Sequence, residues 1–249
     1  MATWSNPKTD WTPQDGVLNS DFNRIEENLL YLYETASHQV NGYVSYHVSA
    51  SGSDDNDGLT AGTPFATLQK AIDTLPKDLG GYSATINIAA GQYAGFTAAG
   101  FTGGALILNG ATNADVRFTS TVRFSECQAV VFRGMSSVMI IGLLMLSNVQ
   151  SFASEIDVTV NNVDGDGILV VQSNAAFLSS AMVTSNNARD ALYADYNSNV
   201  FVESFLAMPD SGIGIHADRG AKVAYSSSSN RADIEVFTQR GGRVLTAAQ

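Results

Sequence analysis

The second half of this chain repeats itself. GILVVQSNAAF (residues 167–177) aligns with ALYADYNSNVF (191–201), and GIGIHADRGAKV (212–223) aligns with DIEVFTQRGGRV (233–244). Ile168, Leu192, Ile213 and Ile234 then recur every ~21–24 residues, and so do Phe177, Phe201, Val223 and Val244. A unit of that length cannot bury its own apolar face and must stack on the next one. Its β-branched residues and flanking turn signals predict one coil of a parallel β-helix per repeat. The first four residues would form one inward column and the second four another. A leucine-rich repeat has a similar period, but it needs leucine at several fixed offsets that these units lack. Counted from residue 84 to 249, the period gives about seven coils.

Upstream of the repeats, short apolar runs at 85–88, 105–108, 116–118, 122–124, 129–132 and 138–146 are separated by Gly, Asn, Ser or Asp. VMIIGLLML (138–146) is about half the ~20 residues of a membrane helix, and it reads as a strand buried on both faces. Charged residues make up 15% of the chain, which suits many short strands better than a helical bundle. The fold class is therefore all-β: a short right-handed parallel β-helix over residues 84–249.

Residues 46–73, YHVSASGSDDNDGLTAGTPFATLQKAID, read as a strand, a cluster of tight turns and a short helix. Gly52, Gly58 and Gly62 would supply positive-φ turns, Pro64 would stop the strand and Thr67 would cap the helix. Leu68, Ala71, Ile72 and Leu75 give that helix one apolar face. Together, residues 41–83 would form a lid over the raw end of the stacked sheet. This segment resembles the opening motif of right-handed β-helix proteins of the pectate-lyase-like superfamily, common in phage tail spikes and secreted polysaccharide enzymes. The resemblance implies the fold and leaves the chemistry open.

Residues 1–40 differ from the rest. Trp4 and Trp11, the only tryptophans, sit in an irregular lead, and Asn19 or Ser20 can cap a helix running to about residue 36. Phe22, Ile25, Leu29 and Leu32 form its apolar stripe, suited to packing on the main domain or on copies of itself. With Trp11, Asp21-Phe22-Asn23-Arg24-Ile25 and Asn28, the lead is similar to the N-terminal segment of tail-tip and baseplate proteins of phages and related particles. That resemblance implies attachment through Trp4, Trp11, Phe22, Ile25, Leu29 and Leu32 to other tail or baseplate proteins. For a phage β-helix it also implies a homotrimer.

The net charge of −11 opposes a nucleic-acid partner. No basic apolar leader opens the sequence, so the expected route is synthesis in the host cytoplasm without a signal peptide and residence in the virion. No membrane insertion is expected. The single cysteine, Cys127, beside an apolar run, reads as a small buried hydrophobe.

Candidate chemistry is sparse. Ser53, Asp55 and Asp57 hold calcium-loop spacing before Gly58, but Pro64 stands where an EF-hand needs glutamate, so a turn is the better reading. Asp166, Asp190, Asp210 and Asp233 fall before the repeat strands and could stack at ~4.8 Å per coil, yet turn chemistry alone selects them. Glu203 stands alone. Alternation points His216 outward. Arg219, Lys222, Arg240 and Arg243 read as charged turns. Alternation that buries Leu192 and Ala194 presents Tyr193 and, near the turn, Tyr196, which suit either a host-surface glycan or a subunit interface. Neither a cofactor nor a metal is implied. The expected role is a structural virion component of a tail, a spike, fibre or baseplate protein attached by its N-terminus. A spike depolymerase using Asp190, Glu203 and Asp210, and a non-binding adaptor for another fibre, are the alternatives.

Overall fold

A short strand leaves its backbone N–H and C=O groups unpaired until another lies beside it. In this protein the neighbour comes from the adjacent coil. The structure, a computed structural model, describes residues 12, 16, 18–35, 42–111, 114–162, 165–183, 190–207, 213–226 and 236–247. It falls into two units, Met1–His38 and Gln39–Gln249.

In the first unit, α1 (Asn19–Thr35) begins one residue earlier than expected. Asp21 Oδ2 accepts from the Leu18 N–H at 3.0 Å, so the reach-back comes from inside the first turn and Leu18 holds the cap position. Phe22, Ile25 and Leu29 are all exposed. Trp4, Trp11 and the side chain of Leu32 lie outside the described residues.

The second unit starts with β1 (Val44–Val48), α2 (Leu68–Thr74), β2 (Ser83–Ile88), β3 (Gly91–Tyr93), β4 (Thr97–Ala99) and β5 (Ala105–Gly110). It continues with β6 (Asp115–Phe118), β7 (Val122–Ser125), β8 (Ala129–Arg133), β9 (Ser137–Ile141), β10 (Leu144–Ser147), β11 (Ser151–Ser154) and β12 (Asp157–Asn161). The last strands are β13 (Ile168–Val171), β14 (Asn174–Val183), β15 (Asp190–Asp195), β16 (Asn199–Ala207), β17 (Ile213–Ala217), β18 (Lys222–Ser226), β19 (Val236–Thr238) and β20 (Arg243–Ala247).

Every strand pairing among the described residues is parallel, between one coil and the next. One face stacks β1, β2, β5, β8, β11, β14, β16, β18 and β20; a second stacks β3, β6, β9 and β12; a third stacks β4, β7, β10, β13, β15, β17 and β19. The long β14 belongs to the first two, pairing with β11 at one end and β12 at the other. The seven strands of the third face are six coil-to-coil steps. The result is a parallel β-solenoid of about six turns, against the seven that the repeat period gives.

Alternation fills the interior. Phe118, Phe124, Phe132, Phe152 and Phe177 are all buried, and successive rings such as Phe132 and Phe152 meet at 5.4 Å between centroids. Cys127 is buried as expected, and burial pushes its thiol up. The run 138–146 is two strands, not one. Gly142, at φ +137°, breaks it, and Met139 reaches solvent, so it is not buried on both faces.

The expected columns need two corrections. Ile168 does lie beside Leu192, but Leu192 pairs with Ile215, and Ile213 pairs with Asp190. A two-residue slip leaves every side chain on the same face, so alternation cannot detect it. Ile234 lies outside the described residues; Val236 pairs with Ile215 instead. In the second column, Phe177 pairs with Val202, and Phe201 with Ala176. Phe201 therefore faces outward. The cause is at the corner. One left-handed residue, Gln172 at φ 48°, turns the earlier coil, whereas two, Tyr196 and Asn197 at 49° and 57°, turn the next. The extra residue moves the following strand by one and flips it. Val223 and Val244 do pair, in a column with Val200.

Around α2 the expected apolar face is present: Leu68, Ala71, Ile72 and Leu75 are buried. Thr67 caps the helix, its side chain accepting from the Lys70 N–H at 3.1 Å. The helix is fastened to β4 by Gln69, which accepts from the Thr97 N–H at 2.9 Å and donates to its carbonyl at 3.1 Å. Of the three glycines, only Gly58 has positive φ, at +68°. Gly52 is needed for close approach, since a Cβ there would lie 2.4 Å from the Phe65 carbonyl oxygen. At Gly62 nothing comes nearer than 3.6 Å.

Candidate functional site

The side chains with most chemical potential gather on the outside of the third face and at the corner that follows it. Tyr193, His216 and Phe237 occupy one outward register column on β15, β17 and β19. The Tyr193 and His216 rings stack with centroids 4.6 Å apart, and Phe237 meets His216 edge-on at 4.8 Å. His216 Nδ1 lies 2.8 Å from Asp190 Oδ2, while its Nε2 is buried with no hydrogen-bond partner.

At the corner the sequence repeats as Asp195-Tyr196-Asn197, Asp218-Arg219-Gly220 and Gln239-Arg240-Gly241. Each aspartate bonds the backbone of its own turn: Asp195 Oδ1 accepts from Tyr196 N–H at 2.8 Å and Asp218 Oδ1 from Arg219 N–H at 2.7 Å. The left-handed residue that follows sends its side chain back one coil. Arg219 Nε donates to Asp195 Oδ1 at 2.6 Å, and Arg240 Nε donates to Asp218 Oδ1 at 2.9 Å. A second guanidinium N–H completes each fork. The Arg219 guanidinium also lies 3.7 Å from the Tyr196 ring centroid.

Electrostatics follow from this pairing. Burial pushes the Asp218 carboxyl up, but the hydrogen bonds from Arg240 and the Arg219 backbone, with both guanidinium charges, outweigh it and hold the carboxyl below its ordinary value. Asp195 and Asp218 hold Arg219 and Arg240, respectively, above the ordinary guanidinium range. The Tyr193 phenol, 3.4 Å from both Asp195 Oδ2 and Asp218 Oδ2, is pushed up by burial and then by the Asp195 charge. Glycan cleavage by acid catalysis needs a carboxyl raised enough to carry a proton. Asp218 is shifted in the opposite direction, so the ladder acts as a clamp between coils.

The expected site residues are distributed as follows. Tyr193 faces outward, as alternation predicts, whereas Tyr196 shares the parity of the buried Leu192 and Ala194 and is turned out by its left-handed corner at φ 49°, where it is 44% exposed. His216 occupies one face of the Tyr193 ring and Arg219 one face of the Tyr196 ring. Asp166 Oδ1 accepts from the Asp190 N–H at 3.3 Å, so these two are neighbours across a coil step. Asp210 and Asp233 lie outside the described residues. Glu203 is exposed on the first face, whereas Asp190 is buried on the third, so the structure does not bring them together. In the 53–58 turn, Asp54 accepts from Ala66 N–H and Thr67 N–H, and Asp57 from Leu59 N–H and the Thr63 hydroxyl. These carboxylates are committed to the loop. Among the described residues no group of three His, Cys, Asp or Glu is arranged to hold a metal ion. Likewise, no described helix is long and apolar enough to cross a membrane.

Asp195 and Asp218 were missed by the sequence reading, although their recurrence one residue before each corner was the available signal. Comparison with family models, curated proteins and solved structures returned no match to this chain.

Proposed function

We propose that this chain is a structural virion component of a phage or phage-like tail, a spike, fibre or baseplate protein. In this reading residues 1–40 attach it to neighbouring tail proteins, and a homotrimeric solenoid faces the host surface. The parallel β-solenoid of about six turns that follows the 46–73 motif carries the proposal, because it is the architecture that motif's resemblance implies. The N-terminal resemblance adds the location, and the exposed Phe22, Ile25 and Leu29 add a surface for a partner. The solenoid winds right-handed, as parallel crossover connections overwhelmingly do. Residues 41–83 act as its lid: α2 buries Leu68, Ala71 and Ile72, and the segment would shield apolar interior at the first coil. Tyr193 and Tyr196 are the candidate contacts for a cell-surface glycan.

The test is localisation. Antibody against the solenoid, or peptide mass spectrometry of purified particles, should find this chain in tails and absent from tail-less assemblies. Its absence from particles would overturn the proposal. Incubation with host capsule separates binding from depolymerisation: shortening of the glycan that disappears in Asp190→Asn or Glu203→Gln would favour the enzyme instead.

A further inference from the structure

A water-facing strand face normally alternates apolar inside with polar outside. The outer side of the first face departs from this. Val131, Ala153, Ala176, Phe201, Ala224 and Leu245 stand in a single register column on β8, β11, β14, β16, β18 and β20. Val131, Ala153, Ala176 and Phe201 each lie between buried neighbours and so point out, and Ala224 and Leu245 continue their register. Phe201 is 39% and Leu245 54% exposed. The corresponding outward column on the third face is interrupted by Arg123 and His216. Six consecutive apolar outward positions form the kind of continuous patch that marks an interface.

The column has relief as well as polarity. Its small residues Ala176 and Ala224 line an open groove of about 430 Å³, bordered by Phe201 and Leu245. Over the last three coils its flanks differ in charge. Lys222 and Arg243 precede Ala224 and Leu245 by two positions, so they share the outer face on one side, and they are in register with each other. Glu203 follows Phe201 by two positions and lies on the other side, exposed.

We propose that this face is where copies of the chain pack, side by side and parallel, about an axis along the solenoid. The inference rests on the homotrimer reading above and assigns its surface. Rotation about such an axis brings the Lys222/Arg243 flank of one copy against the Glu203 flank of the next. Lys222 stands one coil step, ~4.8 Å, from the height of Glu203, and Arg243 two. An antiparallel pair of facing sheets would set positive flank against positive flank. The charges therefore select the parallel arrangement, and the apolar column falls on the axis with Phe201 and Leu245 as bulky layers two coil steps apart, separated by Ala224.

The test is light scattering of the full chain at micromolar concentration. Wild type should have three times the 26.3 kDa chain mass. Ala176→Glu and Phe201→Ser should fall to one chain mass with unchanged far-ultraviolet circular dichroism. Glu203→Lys should weaken assembly at least tenfold, and adding Lys222→Glu should restore it; both positions are exposed, so this pair reads the interface where a column variant fails to fold. A monomeric wild type overturns the trimer and this face together. A trimeric wild type whose column and charge variants stay trimeric overturns this face alone.

Discussion

Arg219 clasps Asp195 across one coil step, 24 residues earlier in the chain, with Nε to Oδ1 at 2.6 Å. Arg240 does the same to Asp218 at 2.9 Å. Asp218 is buried, yet its carboxyl is held below the ordinary value of 3.8. A depressed carboxylate contributes stability that is fully present above its unfolded pKa and is lost as pH falls through the folded one. The clamp on the last coils should therefore hold down to about pH 4 and fail progressively below it. Asp218→Asn should melt a few degrees lower at pH 7 and show a shallower loss between about pH 4 and 2. Melting curves across that range check it; identical acid profiles would mean the clamp does not stabilise the fold.

Leu192 is fully buried between Ile168 and Ile215. Leu192→Asp places an unpaired charge in the stacked core, at a cost of several kcal/mol, and should leave the solenoid unfolded. Leu192→Ala should fold with a loss of about 2–5 kcal/mol. Denaturant titration distinguishes the two variants.

Gly52 and Gly62 make a matched pair. A Cβ at Gly52 meets the Phe65 and Pro64 carbonyl oxygens at 2.4 and 2.6 Å, whereas at Gly62 the nearest atom is 3.6 Å away. Gly52→Ala should cost about 1–3 kcal/mol and Gly62→Ala should be near neutral. Equal melting temperatures for the two variants would contradict the close approach.

The Cys127 thiol is buried and its pKa is raised, first by burial. A thiol-reactive dye should modify it only as the solenoid unfolds, in step with the loss of circular dichroism. Rapid labelling of the native protein would show that this corner opens locally.

The period of the repeats, the apolar alternation and the glycine-rich 46–73 segment determined a parallel solenoid without reference to any contact. Those signals suffice because stacking is the means by which such short units bury their apolar faces. Cap Thr67, the buried face of α2 and the outward Tyr193 were legible from local pattern alone. Register was not. Alternation fixes parity, so Ile213 and Ile215 looked interchangeable. One extra left-handed residue at Tyr196–Asn197 then turned Phe201 from core to surface. That flip placed Phe201 in the apolar outer column, and the neighbouring corner geometry paired Arg219 with Asp195. Both depend on which residues meet one coil apart, a distance of more than twenty residues in sequence but only ~4.8 Å in space, and only the tertiary structure sets that meeting.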